Sequence, residues 1–163
     1  MARPTPALSA LAALALCACG VDVKMDAAQD VHAFFKAVQA DDRAGFQRHV
    51  DRAALRSNLK SQLGGAVAGE QGAMLGAILS GSAGDRMVDQ MITPETFRIA
   101  WRQSGVSPDK VPSAAELAVV LKKLGDTRTC LPQGRGGDCV MTFEKQGEVW
   151  RLVEIRATGL QTK

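Results

Sequence analysis

A row of basic side chains is the feature of the sequence best suited to binding an anion. Arg52, Arg56 and Lys60 recur at every fourth residue, so on a helix they form one line beside a row of leucines. Because the arginine guanidinium is a two-pronged donor to carboxylate or phosphate, this row is a candidate site for an anionic headgroup, a peptidoglycan carboxylate or an acidic partner. The alternative is a solvated helix face on which Arg56 pairs with a nearby carboxylate such as Asp51 or Asp89.

The sequence contains no recognisable catalytic constellation. Its histidines are His32 and His49, and Asp51 follows His49 closely, but a general base also needs a nucleophile within reach. No serine or cysteine stands in a nucleophile elbow, and the HxxxH and HExxH spacings are absent. We therefore expect no catalytic residues, no metal and no cofactor, with the histidines at the surface or at helix ends. A hydrolase built around His49 and Asp51 is the weaker alternative.

Phe97, Trp101 and Trp150 are aromatic side chains that could line a pocket for an apolar ligand. Trp101 is the candidate binding residue among them, although a pair spaced like Phe97 and Trp101 is more common in a hydrophobic core. Aromatic residues make up only 4% of the 163 residues, and the formal net charge is +3. This composition provides no platform for stacking bases and no strongly positive field, so we expect no nucleic-acid partner.

The start of the chain has the layout of a secretory signal. Arg3 is the only charged residue before Asp22, and residues 7–18 are apolar or small apart from Ser9. The segment ends in Leu16-Cys17-Ala18-Cys19-Gly20, which resembles the bacterial lipobox, in which an aliphatic residue and two small residues precede the cysteine that is acylated. The alternative is a plain secretory signal with cysteines by chance in an apolar run.

The lipobox resemblance implies a lipid anchor on the mature protein. Residues 1–18 would be cleaved, and Cys19 would carry a diacylglycerol thioether on its sulfur and an acyl group on its amine. Several acyl chains anchor a protein almost permanently, whereas one chain binds a membrane only marginally. Residues 19–25 would form a tether to a single periplasmic domain over residues 26–163. In the sorting rule of enteric lipoproteins, Gly20 favours the periplasmic face of the outer membrane.

Two further cysteines, Cys130 and Cys139, form an even pair in an oxidising compartment. The residues between them are rich in turn formers, and a disulfide closing a loop of about 10 residues stabilises a fold by roughly 2.5 kcal/mol. The spacing is not that of a CxxC redox motif, and no second ligand cluster for zinc lies nearby in the sequence. We predict a structural disulfide.

Hydrophobic periodicity predicts helices over the first two thirds of the mature chain. Asp26 and Gln29 have the spacing of a capping box before an amphipathic helix over residues 27–40. Asp41 is the predicted cap of a short second helix. Asp51 is the predicted cap of a third, whose leucine row runs to Val67. A short apolar helix is predicted near residues 72–80.

Three further helices are predicted after the glycine-rich stretch. One begins at Asp85 and places Met87, Val88, Met91 and Ile92 on its apolar side. Thr93 and Pro94 then read as the cap and first residue of a helix that ends by Gly105. Finally, Ser113 and Glu116 form a capping box for a helix that Gly125 ends.

After Gly125 the hydrophobic period changes from that of a helix to that of a strand. Strands are predicted near residues 127–131, 139–144 and 149–157, with a turn at residues 144–148. A helical layer of about five to six helices followed by a small antiparallel β-meander is an α+β order.

Residues 28–101 resemble the bacterial family known as domain of unknown function 2939. The matching features include the phrase Val50-Asp51-Arg52-Ala53-Ala54-Leu55-Arg56-Ser57-Asn58-Leu59-Lys60, then Met87-Val88-Asp89 and Ile92-Thr93-Pro94-Glu95. This resemblance implies no activity, because the family has none assigned. Residues 147–155 are also similar to the final strand of NTF2-like domains, which implies a bent sheet closed around a pocket.

Taken together, the sequence predicts a lipid-anchored envelope protein that acts by binding. Its partners would be the membrane, through the anchor, and another envelope protein or an anionic envelope ligand. A carrier of a small apolar ligand with an NTF2-like pocket is the first alternative, and the hydrolase is the second.

Overall fold

The structure, a computed structural model, describes residues 18–66, 70–103, 109–134 and 136–156. The predicted signal up to residue 17 lies outside these ranges, as do Val67, Gly105 and the predicted strand end at Ala157. Within the described residues, seven helices precede a four-stranded antiparallel sheet, so the predicted α+β order is confirmed. None of the helices in these ranges is long and apolar enough to span a bilayer.

The helices occupy the first three quarters of the chain and the strands the rest. The helices are α1 (Ala18–Ala40), α2 (Arg43–Arg48), α3 (Arg52–Ala66), α4 (Glu70–Ser80), α5 (Ser82–Met91), α6 (Pro94–Gln103) and α7 (Ala114–Val120). The strands are β1 (Lys122–Lys123), β2 (Arg128–Pro132), β3 (Cys139–Gln146) and β4 (Val149–Ile155), paired in the order β1-β2-β3-β4.

Helix α1 is longer than its predicted span. It begins at Ala18, so the predicted start at residue 27 is wrong, and the segment predicted as a tether, residues 19–25, is helical. Val23 packs against the core. Asp26 lies inside the helix and makes no capping box. Its carboxylate instead accepts hydrogen bonds from the sheet, because Lys145 and Trp150 are within reach.

The predicted cap of α2 is wrong, and the predicted cap of α3 is confirmed. Asp42, not Asp41, caps α2, and its Oδ1 accepts from the amides of Ala44 and Gly45 at 3.1 and 3.0 Å. Asp41 adopts a positive φ of 55° in the turn after α1, a conformation in which it cannot take the cap position. Asp51 caps α3 as predicted, with Oδ1 accepting from the Ala54 amide at 3.0 Å.

Helices α4 and α5 form a close pair around Gly84. A Cβ at Gly84 would lie 2.5 Å from the Cα and carbonyl oxygen of Leu79, so only glycine allows this approach. Val88 and Ile92 are buried as predicted. Met87 and Met91 are 53% and 40% exposed, so placing them on the buried side was wrong.

Helices α6 and α7 begin as predicted, but α7 ends early. The Thr93 hydroxyl accepts from the Thr96 amide ahead of Pro94, and the capping box of Ser113 with Glu116 is present. Helix α7 stops at Val120, so its predicted end at Gly125 is wrong. The residues after it pair with β2, with Lys122 opposite Cys130 in β1, and this sheet pairing replaces the last predicted helical turn.

The predicted disulfide joins β2 to β3 at the end of their hairpin. Cys130 and Cys139 are bonded, with Cα atoms 5.6 Å apart. A bulge in the pairing of β3 with β4 falls between Thr142 and Phe143, and both of these side chains are buried. On the other side of β4, Leu152 makes a parallel bridge to Val50, so the start of α3 is joined directly to the sheet.

The core lies between α1 and the inner face of the sheet. Phe34 of α1 is fully buried at its centre and contacts the rings of Phe35, Phe46, Phe97 and Phe143, with centroids 5.3 to 5.8 Å apart. Edge and tilted ring pairs of this kind stabilise a core beyond the area they bury. The few aromatic residues of the chain are therefore concentrated at one place.

Replacing Gly84 with alanine should destabilise the protein by about 1–3 kcal/mol, because the new methyl group meets the backbone of Leu79. Gly76→Ala is the matched control, since a Cβ at Gly76 meets no atom within 4 Å. Alanine there should stabilise helix α4 by about 0.5–1 kcal/mol. Urea denaturation measures both changes, and equal free energies of unfolding for the two variants would contradict the close contact.

Candidate functional site

The predicted basic row lies on α3 and faces α5. The Arg56 guanidinium makes a bidentate contact with the Asp89 carboxylate. Its Nε donates to Oδ1 at 3.1 Å and its Nη2 donates to Oδ2 at 2.7 Å. Lys60 Nζ donates to Asp85 Oδ1 at 2.6 Å. All three residues of the row therefore contact α5 or its C-terminal end, since Arg52 also reaches this region.

Arg52 contacts the end of α5 through backbone carbonyls. Its Nη1 donates to the Asp89 carbonyl at 3.3 Å and its Nη2 to the Ile92 carbonyl at 2.9 Å. Its guanidinium also lies 3.7 Å from Asp89 Oδ1. The last carbonyls of a helix have no partner within the helix, so a cation at this position stabilises the α5 end.

These contacts confirm the alternative in which Arg56 pairs with Asp89. Asp51, the other suggested partner, instead accepts from Gln146 Nε2 at 2.8 Å and caps α3. Its pKa is lowered by the hydrogen bonds from the Ala54 amide and Gln146. The pKa of Asp85 is lowered by its hydrogen bond from Lys60. An anion could bind the row only by displacing the α5 carboxylates.

The histidines have structural neighbours. His49 is the C-cap residue of α2 and is buried, so of the two predicted positions, the surface or a helix end, it occupies the helix end. Its Nδ1 lies 3.7 Å from Asp30 Oδ1 and has no hydrogen-bond partner among the described residues. Burial lowers the pKa of His49 and the Asp30 carboxylate opposes this, so the neutral imidazole is favoured. His32 Nδ1 is 2.7 Å from the Pro112 carbonyl oxygen.

This geometry does not assemble the hydrolase site that pairs His49 with Asp51. The nearest carboxylate to His49 is that of Asp30 on α1, and the Asp51 carboxylate bonds the α3 cap and Gln146. His49 and His32 do line the groove beside α1 and α2, but the residues that line this groove include no serine, threonine or cysteine that could act as a nucleophile.

The predicted pocket aromatics belong to the core. Trp101 is partly buried and packs on Phe35, with ring centroids 4.9 Å apart. Phe97 packs on Phe34 and Phe46. Trp150 is 1% exposed. Phe97 and Trp101 thus pack on core rings of α1 and α2, and Trp150 is buried, so these aromatic side chains are part of the core.

Two carboxylates of α1 hold the β3–β4 hairpin, a contact the sequence analysis missed. Asp26 Oδ2 accepts from Lys145 Nζ at 2.7 Å and from Trp150 Nε1 at 2.9 Å, and Asp30 Oδ2 accepts from the Trp150 amide at 2.8 Å. The hydrogen bonds from Lys145 and Trp150 lower the pKa of Asp26, and the same bond raises the pKa of Lys145. The sequence signal for this contact was that Asp26 and Asp30 are four residues apart, each followed by an apolar residue, which places both carboxylates on one side of the helix.

Two surface grooves are open to solvent. The first, about 500 Å³, lies between α3 and the sheet and is lined mainly by polar side chains, including Asp51, Asn58, Arg128, Glu144 and Glu154. Arg128 lies between the two glutamates, at 3.4 and 3.9 Å from their carboxylate oxygens. The second, about 460 Å³, lies beside α1 and α2. The described residues contain no group of three metal-binding side chains.

Most of the exposed large apolar side chains in the described ranges lie on α4 and α5 or around the end of α7, and Ile99 on α6 and Met25 on α1 are exposed as well. On α4 and α5 these are Met74, Ile78, Met87 and Met91, at 69%, 51%, 53% and 40% exposure. We call this set the α4–α5 apolar face. Around the end of α7 they are Val119, Val120 and Leu124, at 82%, 46% and 48%. Exposed apolar side chains in groups are typical of interaction surfaces, whereas isolated ones are common on any protein.

The fold and these surfaces define an α+β protein whose described polar side chains largely bind its own backbone and neighbours. The sequence profile of the family described as "Protein of unknown function (DUF2939)" matches residues 12–99. The chain belongs to this family, which confirms the predicted resemblance over residues 28–99. No curated protein and no solved structure matches the chain.

The family match covers the helices up to the greater part of α6 and leaves the sheet outside it. It includes the basic row on α3 and its partners on α5. The ion pairs of Arg56 with Asp89 and of Lys60 with Asp85, which we call the α3–α5 clamp, thus lie within the matched part. The disulfide and the β3–β4 hairpin lie beyond it. The similarity to NTF2-like domains stays a prediction.

The ion pair between Arg56 and Asp89 should show a coupling free energy of about 1 kcal/mol in a double-mutant cycle with alanine, because its two hydrogen bonds are partly buried. Arg128 with Glu144 is the matched control, a more exposed pair with a single contact at 3.4 Å. Its coupling free energy should be close to zero. A coupling at Arg56 no larger than at Arg128 would contradict the clamp.

Proposed function

We propose that this protein is a lipid-anchored periplasmic protein whose domain has no catalytic role and binds another component of the cell envelope. The single observation that carries the binding role is the α4–α5 apolar face. Methionine adapts its shape to different partners and is frequent on binding surfaces, and this face has Met74, Met87 and Met91 beside Ile78. The outer membrane is the membrane we propose, on the ground of Gly20.

The arrangement of the face supports a protein partner. Met74 and Ile78 are one helical turn apart on α4, as are Met87 and Met91 on α5. Helices α4 and α5 pack on each other and on α3. The two exposed rows are thus on neighbouring helices, and a partner helix or loop that contacts both rows would cover them together.

The rest of the described surface is less suited to catalysis or to carrying an apolar ligand. His49 is buried beside Asp30, and the aromatic side chains fill the core. The basic row contacts α5. These observations favour a binding domain over the hydrolase and the carrier, because the groove that reaches His49 has no nucleophile in its lining and neither groove is lined by phenylalanine or tryptophan.

The anchor is supported by the lipobox resemblance at Cys19. In Cys19→Ser cells the protein should move from the membrane fraction to the soluble periplasmic fraction, because the acyl chains are lost. Purified wild-type protein should carry acyl chains on residue 19 by mass spectrometry. A Cys19→Ser protein that stays in the membrane fraction would contradict the anchor.

The binding role is tested by placing a photo-crosslinking side chain at Met87 or Ile78 in intact cells. A discrete adduct of one mass, identified as an envelope protein, should form at both positions. Gln47, an exposed polar position on α2, is the matched control and should give no adduct. Ile78→Asp should abolish the adduct formed at Met87 without changing the melting temperature. Equal labelling at Gln47 and Met87 would contradict a binding face on α4 and α5.

A further inference from the structure

The second apolar group lies at the end of the molecule where α1 begins. Lys145 of β3 joins α1 to the turn that follows β1. Its Nζ is 2.7 Å from Asp26 of α1, and its amide donates to the Thr127 carbonyl at 2.8 Å. Thr127 belongs to the turn between β1 and β2, and Leu124 opens this turn by donating to the Arg128 carbonyl at 2.9 Å. The β1–β2 turn, the β3–β4 turn and the first turns of α1 are thus at one end.

Helix α7 runs toward the same end. His32 of α1 contacts the Pro112 carbonyl just before α7 begins, and α7 packs along α1. From Val120 the chain passes through Leu121 into β1 and then to Leu124 at the turn. Val119, Val120 and Leu124 therefore face outward near the start of α1, together with Met25, which is 36% exposed. We call these four side chains the anchor-end patch.

We propose that the anchor-end patch rests on the lipid bilayer that holds the anchor, so that the domain lies against the membrane in one orientation. This inference rests on the proposed lipid anchor at Cys19. Cys19 is the second residue of α1, and the seven residues from Cys19 to Asp26 span roughly 10 Å of helix. Because the helix leaves no slack chain, a bilayer attached at Cys19 must lie beside this end.

The charges at this end indicate that the contact is apolar. Two of the lysines at this end are paired with carboxylates. Lys145 Nζ is 2.7 Å from Asp26 Oδ2. Lys123 Nζ is 2.8 Å from Asp126. Because these two pairs carry no net charge, they add little attraction to anionic headgroups, and valine, leucine and methionine side chains enter the interface while the lysine heads stay in water. The contact should therefore persist at high salt.

Tryptophan placed at Val119 tests this contact. Full-length acylated protein is purified from membranes and reconstituted in vesicles of phosphatidylethanolamine and phosphatidylglycerol with brominated acyl chains. The wild-type fluorescence of Trp101 and Trp150 serves as the baseline. Ile78→Trp is the matched control, because Ile78 is also exposed, at 51%, but lies on the α4–α5 apolar face. That face adjoins the second half of α3. There Lys60 binds Asp85 of α5, and Asn58 accepts from the Ile155 amide at the end of β4, which is away from the start of α1.

The added tryptophan at Val119 should be quenched about twofold more than the one at Ile78, in low and in high salt. Equal quenching, with acyl chains on Cys19 confirmed by mass spectrometry, would overturn the patch and leave the anchor standing. Absence of acyl chains would overturn the anchor and the patch together. Hydrogen exchange of the unaltered protein gives an independent reading, with residues 122–127 expected to exchange more slowly in vesicles than in the Cys19→Ser protein. Unchanged exchange there would also overturn the patch.

Discussion

The contact between α1 and the β3–β4 hairpin is the interaction on which the rest of the structure depends. Trp150 is buried, and a buried indole needs an acceptor for its N–H, which Asp26 supplies at 2.9 Å. Asp30, one turn further along α1, accepts the Trp150 amide at 2.8 Å. These two carboxylates set the rotation of α1, and that rotation places Phe34 over the inner face of the sheet.

The other polar contacts fix the remaining helices in relation to this frame. Asn58 of α3 accepts the Ile155 amide at 3.1 Å, which joins α3 to the far end of β4. Arg56 then joins α3 to α5 through Asp89. Each step uses a charged or amide side chain as a structural tie, so these side chains are already engaged within the fold. This is the physical reason that we propose binding through apolar faces and not through the basic row.

The sequence predicted what depends on neighbouring residues and missed what depends on distant ones. The caps at Asp51, Thr93 and Ser113 and the disulfide at Cys130 were correct, because local hydrogen bonds and the number of cysteines determine them. Asp26 has the same local signal as a cap, yet α1 continues past it and Lys145, more than a hundred residues away, takes the carboxylate. The end of α7 was wrong for a similar reason, since pairing with β2 ends the helix. Hydrophobic periodicity predicted which positions of α5 are apolar, but it does not show which of them another helix covers. Met87 was therefore predicted on the buried side, whereas it is exposed.

The most direct test of the central contact is urea unfolding of Asp26→Ala/Asp30→Ala, followed by Trp150 fluorescence and by helical circular dichroism in a Trp101→Phe background. In the parent protein the two signals should change together. In the double variant the two signals should still change together, and the free energy of unfolding should fall by about 2 kcal/mol, since buried donors of Trp150 lose their acceptors. Asp126→Ala, which removes a carboxylate 92% exposed, should match the parent. A double variant whose two curves overlie those of the parent would contradict the account.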